Sequence, residues 1–464
     1  MDKALSSSID SFIKENYDSI FADIARLVSI NSVECDASGE HPFGEGCARV
    51  LDTALEMARS MGFETRNCEN MIGYAQLGQG GIDCDKYIST ITHLDIVPVG
   101  EGWTSDPFTM REREGYIIGR GVQDDKGPSV LCLYALKYLK EHNIPLRYPV
   151  RTLFGINEET GMRDVEHYLK NYPAPLFCFS PDAEFPLCNG EKGIFRGDLV
   201  SKMPMENIID IKGGFAPNAV PDKAEAWIKA GSLKDAERVT AVDEGNGVWH
   251  LTATGVGGHA STPKGTVNAI GVLIKYILDN SLAGAQEEKF LRAAYLIHEN
   301  SDGSAVGIAA DDGLFAPLTV VSGMIGVENG VMVQTIDSRY PTNMNGEKIA
   351  SIITEKAAGA AEVIARSDTP PFYMSTDKEE VQVCIRAYND VTGEDAKPFT
   401  IGGGTYARDF PNAVSFGPEY SSRPLPDFAG PIHGVDEAVS KDFLLEALKI
   451  YIVALIGLEK LDLG

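Results

Sequence analysis

Apolar residues in the first sixty positions recur at helical spacing. Ile9, Phe12, Ile13, Tyr17, Ile20, Ile24, Leu27 and Val28 share one face and predict an amphipathic helix over 9–30. From Cys47, the residues Val50, Leu51, Ala54, Leu55, Ala58 and Met61 repeat the pattern, and Gly62 supplies a C-terminal stop. The period then shortens. β-branched and aromatic runs at 87–92, 150–156 and 176–179 predict strands, with helices over 129–141 and 163–170 between them. Strands alternating with helices predict an α/β sheet. The apolar run Ala413 to Phe416 and a helix over 440–458 resume the theme near the C-terminus.

The middle of the chain follows a different rhythm. One strand at 249–254, helices over 266–279 and 287–298, and many turns predict a second domain inserted into the first. The expected organisation is 1–188 for the first part of the outer domain, 189–383 for the insert and 384–464 for the second part. A length of 464 residues leaves ample core for such an arrangement.

Charge narrows the partners. The 67 acidic against 41 basic residues give a net charge of −26, which repels nucleic acid and anionic membrane surfaces alike. The apolar run Ile450 to Leu458 is far short of the roughly 20 residues needed to cross a bilayer. The N-terminus lacks the basic start and apolar stretch of a secretory signal. Eight cysteines without a C-x-x-C pair read as free thiols. The expected location is the cytoplasm, with no membrane and no nucleic-acid partner.

Chemistry gathers at the ends of the predicted strands. The first ends in His93-Leu94-Asp95, where alternation puts residues 93 and 95 on one side. The next runs into Asn157-Glu158-Glu159-Thr160-Gly161, and the third into Ser180-Pro181-Asp182-Ala183-Glu184. In open α/β sheets, ligands bind outside the carboxyl ends of the strands. Gly119-Arg120-Gly121-Val122-Gln123-Asp124-Asp125-Lys126-Gly127-Pro128 opens the helix between the first two strands. Alone, that acid pair is explained by favourable charge at a helix N-terminus. The coincidence of one His and several acids at consecutive strand ends asks for more.

These segments in order, H-x-D, G-R-G-x-x-D-D-K-G-P, E-E-x-G, S-P-D-A-E-F-P and finally Gly430-Pro431-Ile432-His433-Gly434, resemble the dinuclear zinc exopeptidases. That family includes carnosinase, aminoacylase, succinyl-diaminopimelate desuccinylase and the bacterial dipeptidase peptidase V. The long insert and the strings at 100–108 and 402–408 resemble peptidase V most. The resemblance implies a mixed-sheet α/β catalytic domain of the zinc-exopeptidase, phosphorylase/hydrolase-like type, with an inserted α+β lid domain. It implies two divalent ions, Zn2+ foremost with Mn2+ or Co2+ as alternatives, bridged by Asp124. His93 and Asp182 would complete one site, and Glu159 and His433 the other. Asp95 would fix the His93 tautomer. Glu158 would be the general base acting on a metal-bridged water. A cis peptide between Asp124 and Asp125 is also implied.

Further matches suggest substrate contacts. His259 in Gly257-Gly258-His259-Ala260-Ser261 resembles an oxyanion-binding lid residue, and Asn218 and Arg339 resemble lid residues that reach the substrate. Gly402-Gly403-Gly404-Thr405-Tyr406-Ala407-Arg408 resembles a loop holding the peptide's carboxylate, with Gly403, Gly404, Thr405 and Arg408 as its candidate contacts. The expected activity is dipeptide hydrolysis by a monomer whose long insert supplies His259 internally. An N-acyl-amino-acid deacylase or desuccinylase and a non-catalytic metal- or peptide-binding member are the alternatives. No G-x-S-x-G, H-E-x-x-H or G-K-[ST] is present, which disfavours serine hydrolase, thermolysin-like and phosphate-loop chemistry.

Overall fold

A computed structural model of the chain describes residues 2–81, 84–420 and 422–464. Met1, expected as the first residue of the outer domain, lies outside them. The described chain forms two units. The first runs to Asn189 and resumes over Tyr373–Phe399 and Gly404–Gly464, and the second comprises Gly190–Phe372 and Thr400–Gly403. Residues 373–383, expected in the insert, thus belong to the first unit. Two contacts hold them there. The Met374 amide donates to the Asn189 carbonyl at 2.8 Å, and the helix Glu379–Thr392 buries Val381, Cys384, Ile385 and Tyr388.

In the first unit the elements that frame the site are, in chain order, α1 (Lys3–Val28), α2 (Glu45–Ser60), β1 (Glu64–Cys68), β2 (Ile72–Leu77), β3 (Ile88–His93), α3 (Lys126–Glu141), β4 (Val150–Gly155), α4 (Arg163–Asn171), β5 (Phe177–Ser180), α5 (Glu379–Thr392), β6 (Ala413–Ser415) and α6 (Lys441–Leu458). α1 starts ahead of Ile9, where the periodicity predicts its start, because Asp2 caps it, accepting from the Ala4 amide at 3.2 Å. Within the sheet these strands lie in the order β1-β2-β4-β3-β5-β6. β1 and β2 add antiparallel strands at one edge, while β3 pairs parallel with both β4 and β5, and β5 with β6. This is the mixed sheet expected. Its register matters for the site: His93 lies opposite Gly155, and Ser415 opposite Ser180, so β3 ends level with β4 and β5 with β6.

Helices carry the core. α6 buries Leu444, Leu448, Ile452 and Leu455 among others and packs against α3 and α5, each such side chain contributing about 1.5–3 kcal/mol relative to exposure. α3 is buried along nearly its whole length, which explains why Lys126 lies wholly inside. Its ammonium donates to the Ile30 carbonyl at 2.8 Å.

The second unit is an antiparallel sheet of nine strands whose central path runs Lys223–Lys229, Ile208–Gly213, Ile325–Glu328, Val331–Tyr340 and Gly193–Ser201. Helices Ala269–Asp279 and Ala285–Glu299 lay Ile270, Leu273, Ile277, Phe290, Leu291 and Ile297 on it, and Gly346–Lys356 adds Ile349 and Ile353. The unit is α+β, as expected. Only one of its strands was legible in the sequence.

Candidate metal centre

β3 ends at His93, whose ring is wholly buried. Its Nδ1 lies 3.1 Å from the backbone carbonyl of Asp95 and 3.4 Å from the Asp95 carboxylate. A carbonyl can only accept, so Nδ1 carries the proton and Nε2 presents its lone pair. That Nε2 lies 2.8 Å from Asp124 Oδ1 and 3.7 Å from Asp182 Oδ2. The other oxygen of Asp124 faces a second imidazole: Oδ2 is 2.9 Å from His433 Nε2, which is itself 3.2 Å from Glu159 Oε1. One carboxylate thus divides its two oxygens between two His-and-acid clusters.

Among the described residues, two sets could hold a cation: His93, Asp124 and Glu159, and His93, Glu158 and Asp182, each with its ligand atoms within 4.8 Å of one another. The electrostatics fit a cation between them. Burial, then Asp124, pushes the Asp182 carboxyl up to about 7, and burial with Asp182 holds Glu158 well above the usual carboxylate range. Asp124 is held low despite its burial by hydrogen bonds to both imidazoles. Hydrogen bonds to Asp124 and Glu159 raise His433 to about 11. Imidazole and carboxylate donors crowded in this way suit a divalent metal of the zinc or manganese type.

Other side chains set this geometry. The Asp95 carboxylate accepts the amides of Glu158 and Glu159 at 3.2 and 3.1 Å, so it orients both acids as well as facing His93. Asp164 Oδ2 takes the amides of Ile156 and Asn157 at 2.7 and 3.0 Å and the hydroxyl of Tyr406. A Cβ at Gly155 would meet the Tyr406 hydroxyl at 2.1 Å, so the end of β4 needs glycine there. Glu437 takes the amides of Gly121 and Gln123 at 3.1 Å each, and binds Arg120 Nη1 at 2.7 Å. Arg120 in turn donates to the His433 carbonyl at 3.1 Å. This clamp carries His433, in a left-handed conformation at φ 63°, to Asp124. The bond joining Asp124 and Asp125 is cis, and Asp125 accepts the His93 amide at 3.1 Å. Glu437, Asp164 and Tyr406 were not picked out from the sequence.

The remaining candidates lie apart in the chain. Thr405, Gly404 and Arg408 belong to the first unit. The Thr405 hydroxyl is used within the fold, accepting the Ala407 amide at 3.1 Å and pairing with Ser415 at 2.8 Å. A Cβ at Gly404 would meet Arg408 Nη1 at 2.5 Å, so the guanidinium lies over that glycine. Asn218, His259, Arg339 and Gly403 belong to the second unit. There Ala219 pairs with His259 in a two-stranded ribbon, and the Ala260 amide donates to the Asn218 carbonyl at 2.9 Å. His259 Nδ1 accepts the Ser261 amide at 3.2 Å and lies 2.7 Å from its hydroxyl, leaving Nε2 as the protonated nitrogen. Desolvation and the nearby Arg339 lower the His259 pKa and keep the ring neutral. Arg339 is buried; its Nε and Nη2 reach Asp337 at 2.6 and 3.2 Å, and its Nη1 donates to the Gly402 carbonyl at 3.0 Å. It thereby ties the start of the glycine loop to the sheet.

Residues 90–456 match the profile of Peptidase family M20/M25/M40. The chain is 34% identical to "Putative dipeptidase YtjP" of Bacillus subtilis, over 95% of this chain and 97% of that protein. It is 32% identical to the Beta-Ala-Xaa dipeptidase of Lactobacillus delbrueckii subsp. lactis, over 96% of each. Among solved structures, the dipeptidase Dug1p of Saccharomyces cerevisiae shares the fold with a TM-score of 0.60 at 13% identity, over 99% of both chains.

Proposed function

The chain belongs to peptidase family M20/M25/M40, and on that premise we propose that it is a dipeptidase working with two divalent ions that share Asp124. The observation that carries this reading is the pair of distances from one carboxylate to two imidazoles, 2.8 Å to His93 and 2.9 Å to His433. His93 and Asp182 would hold one ion, Glu159 and His433 the other, with zinc the first candidate and manganese or cobalt next. Such ions acidify water and polarise a scissile carbonyl.

The side chains do the rest. Glu158, held at its amide by Asp95, takes the proton of the attacking water and delivers it to the leaving amine. His259, neutral and protonated on Nε2, donates to the developing oxyanion. Arg408 and the backbone amides of Gly403 and Gly404 face the substrate's carboxylate, with Arg339 steadying the loop and Asn218 set beside His259 in the same ribbon. We assign the inserted unit the part of a lid over the metal centre of its own chain, so that a monomer is complete. Among the described residues no helix is long and apolar enough to cross a membrane, and with the strongly negative charge this supports a cytoplasmic enzyme of the peptidase V kind.

The test is a panel of free dipeptides and N-acyl amino acids, run on metal-stripped protein reconstituted with Zn2+, Mn2+ or Co2+. Turnover of dipeptides that disappears with the metal and returns with it is expected. Preference for N-acyl amino acids would make the enzyme a deacylase, and full activity in a preparation that elemental analysis shows to be metal-free would overturn the metal chemistry. A second result is expected from His259→Ala: turnover falls about 10²- to 10³-fold with metal content intact, the usual cost of one oxyanion donor. Wild-type turnover in this variant, or activity that vanishes on dilution to a verified monomer, would remove His259 or the single-chain lid from the account.

A further inference from the structure

One acid beside the metal centre has no part in the chemistry described so far. Glu419 runs alongside the segment that delivers Asp182: its amide donates to the Ala183 carbonyl and its carbonyl accepts from Phe185, both at 3.1 Å. It forms the wall of a cavity of about 370 Å³ together with Gln123, Leu425, Pro431, Ile432 and Phe443. Gln123 precedes Asp124 and Ile432 precedes His433, so the cavity opens next to two of the residues assigned to the metals.

The Glu419 carboxylate lacks a counter-charge. Among the described residues none hydrogen-bonds or ion-pairs with it, and it belongs to neither metal-capable set. Burial, then Asp182, Asp124 and Glu184, push its carboxyl well above the usual range, with only His433 opposing them. The cation on the same cavity wall, Arg423, is already engaged: it lies 3.5 Å from Glu446 and 3.8 Å from the centre of the Tyr420 ring. A half-buried acid facing an open cavity, with no cation of the fold assigned to it, is a receptor for a cation from outside.

We propose that Glu419 anchors the N-terminal ammonium of the dipeptide and that this cavity receives the residue bearing it. The reasoning rests on the dipeptidase reading above and extends it to the substrate class. In a dipeptide the α-amine is two bonds from the scissile carbonyl carbon, so a group that binds it must stand beside the metals, as Glu419 does. An N-acyl amino acid carries no amine at that position, so its acyl chain would set an apolar carbon against the carboxylate and leave its charge without a partner. Glu419 therefore selects free dipeptides over acylated amino acids.

The experiment compares Leu-Gly with its des-amino analogue, 4-methylpentanoyl-glycine, on metal-loaded wild type, Glu419→Gln and Glu419→Asp. Wild type should favour Leu-Gly in kcat/KM by about 10- to 150-fold, the worth of a charged hydrogen bond. Glu419→Gln should raise the KM for Leu-Gly by a similar factor, with a much smaller effect on kcat, and collapse the preference, while Glu419→Asp restores part of it. Both metal equivalents should stay in each variant. A preference that survives in Glu419→Gln overturns the assignment, as does wild type that cleaves both compounds equally well. Loss of a metal equivalent would make Glu419 a ligand instead. Wild type that cleaves no dipeptide overturns the reading beneath as well, a result distinct from dipeptide cleavage without discrimination.

Discussion

Glu158→Gln should keep both metal equivalents and lose about 10³- to 10⁴-fold in turnover, toward the upper end of what a general base contributes. Glu158 and Glu159 are neighbours whose amides are bound by the two oxygens of one carboxylate, Asp95. That shared support fixes the loop but does not tell the two acids apart. What separates them is where their side chains go. Glu159 reaches His433 at 3.2 Å, whereas Glu158 lies with His93 and Asp182, in surroundings that hold its carboxyl well above the ordinary range. Glutamine matches the shape of glutamate but cannot take a proton from water. Turnover and elemental analysis on both single variants decide the matter, because Glu159→Gln should release one metal equivalent. If Glu158→Gln releases the metal and Glu159→Gln does not, the two roles are exchanged.

Asp124→Ala should do more. Its two oxygens lie 2.8 and 2.9 Å from different imidazoles, so removing the side chain takes a donor from both clusters at once. Each ion supplies several kcal/mol of charge stabilisation, and losing that costs about 10³-fold or more in turnover. The expected outcome is a folded protein, by circular dichroism, with fewer than two metal equivalents and activity near background. A variant that retains both ions would show that Asp124 is not the shared ligand.

How much of this was legible in the sequence depended on the kind of signal each residue leaves. His93, Asp124, Glu159, Asp182 and His433 stand at strand ends or in recognisable strings, and the structure gathers them within a few ångströms. Glu437 leaves no such trace. It is one acid among many, and its role rests on amides of Gly121 and Gln123 more than three hundred positions away. Asp164 was equally silent, since nothing in Arg163–Asn171 announces that its carboxylate will bind the end of another element. Thr405 and Arg339 were legible as members of strings, and what the strings did not announce is their bonding within the fold, Thr405 to the Ala407 amide and Ser415, Arg339 to Asp337 and the Gly402 carbonyl. The strands of the second unit escaped notice for a different reason. Ala361–Thr369 exposes most of its side chains, so its apolar alternation is weak and its strand character comes from pairing with Gly193–Ser201.

The clamp between Arg120 and Glu437 also bears on how the protein is made. These residues are 317 positions apart, and at the usual pace of synthesis that interval corresponds to about 15 to 60 s. Once residue 159 has been made, a growing chain displays His93, Asp124 and both glutamates, but neither His433 nor the carboxylate that shapes the loop before Asp124. On the assignment proposed above, the ligand set for two ions is complete only once residue 433 has been made. The loop that carries Asp124 therefore gains its full set of partners only after translation has passed residue 437.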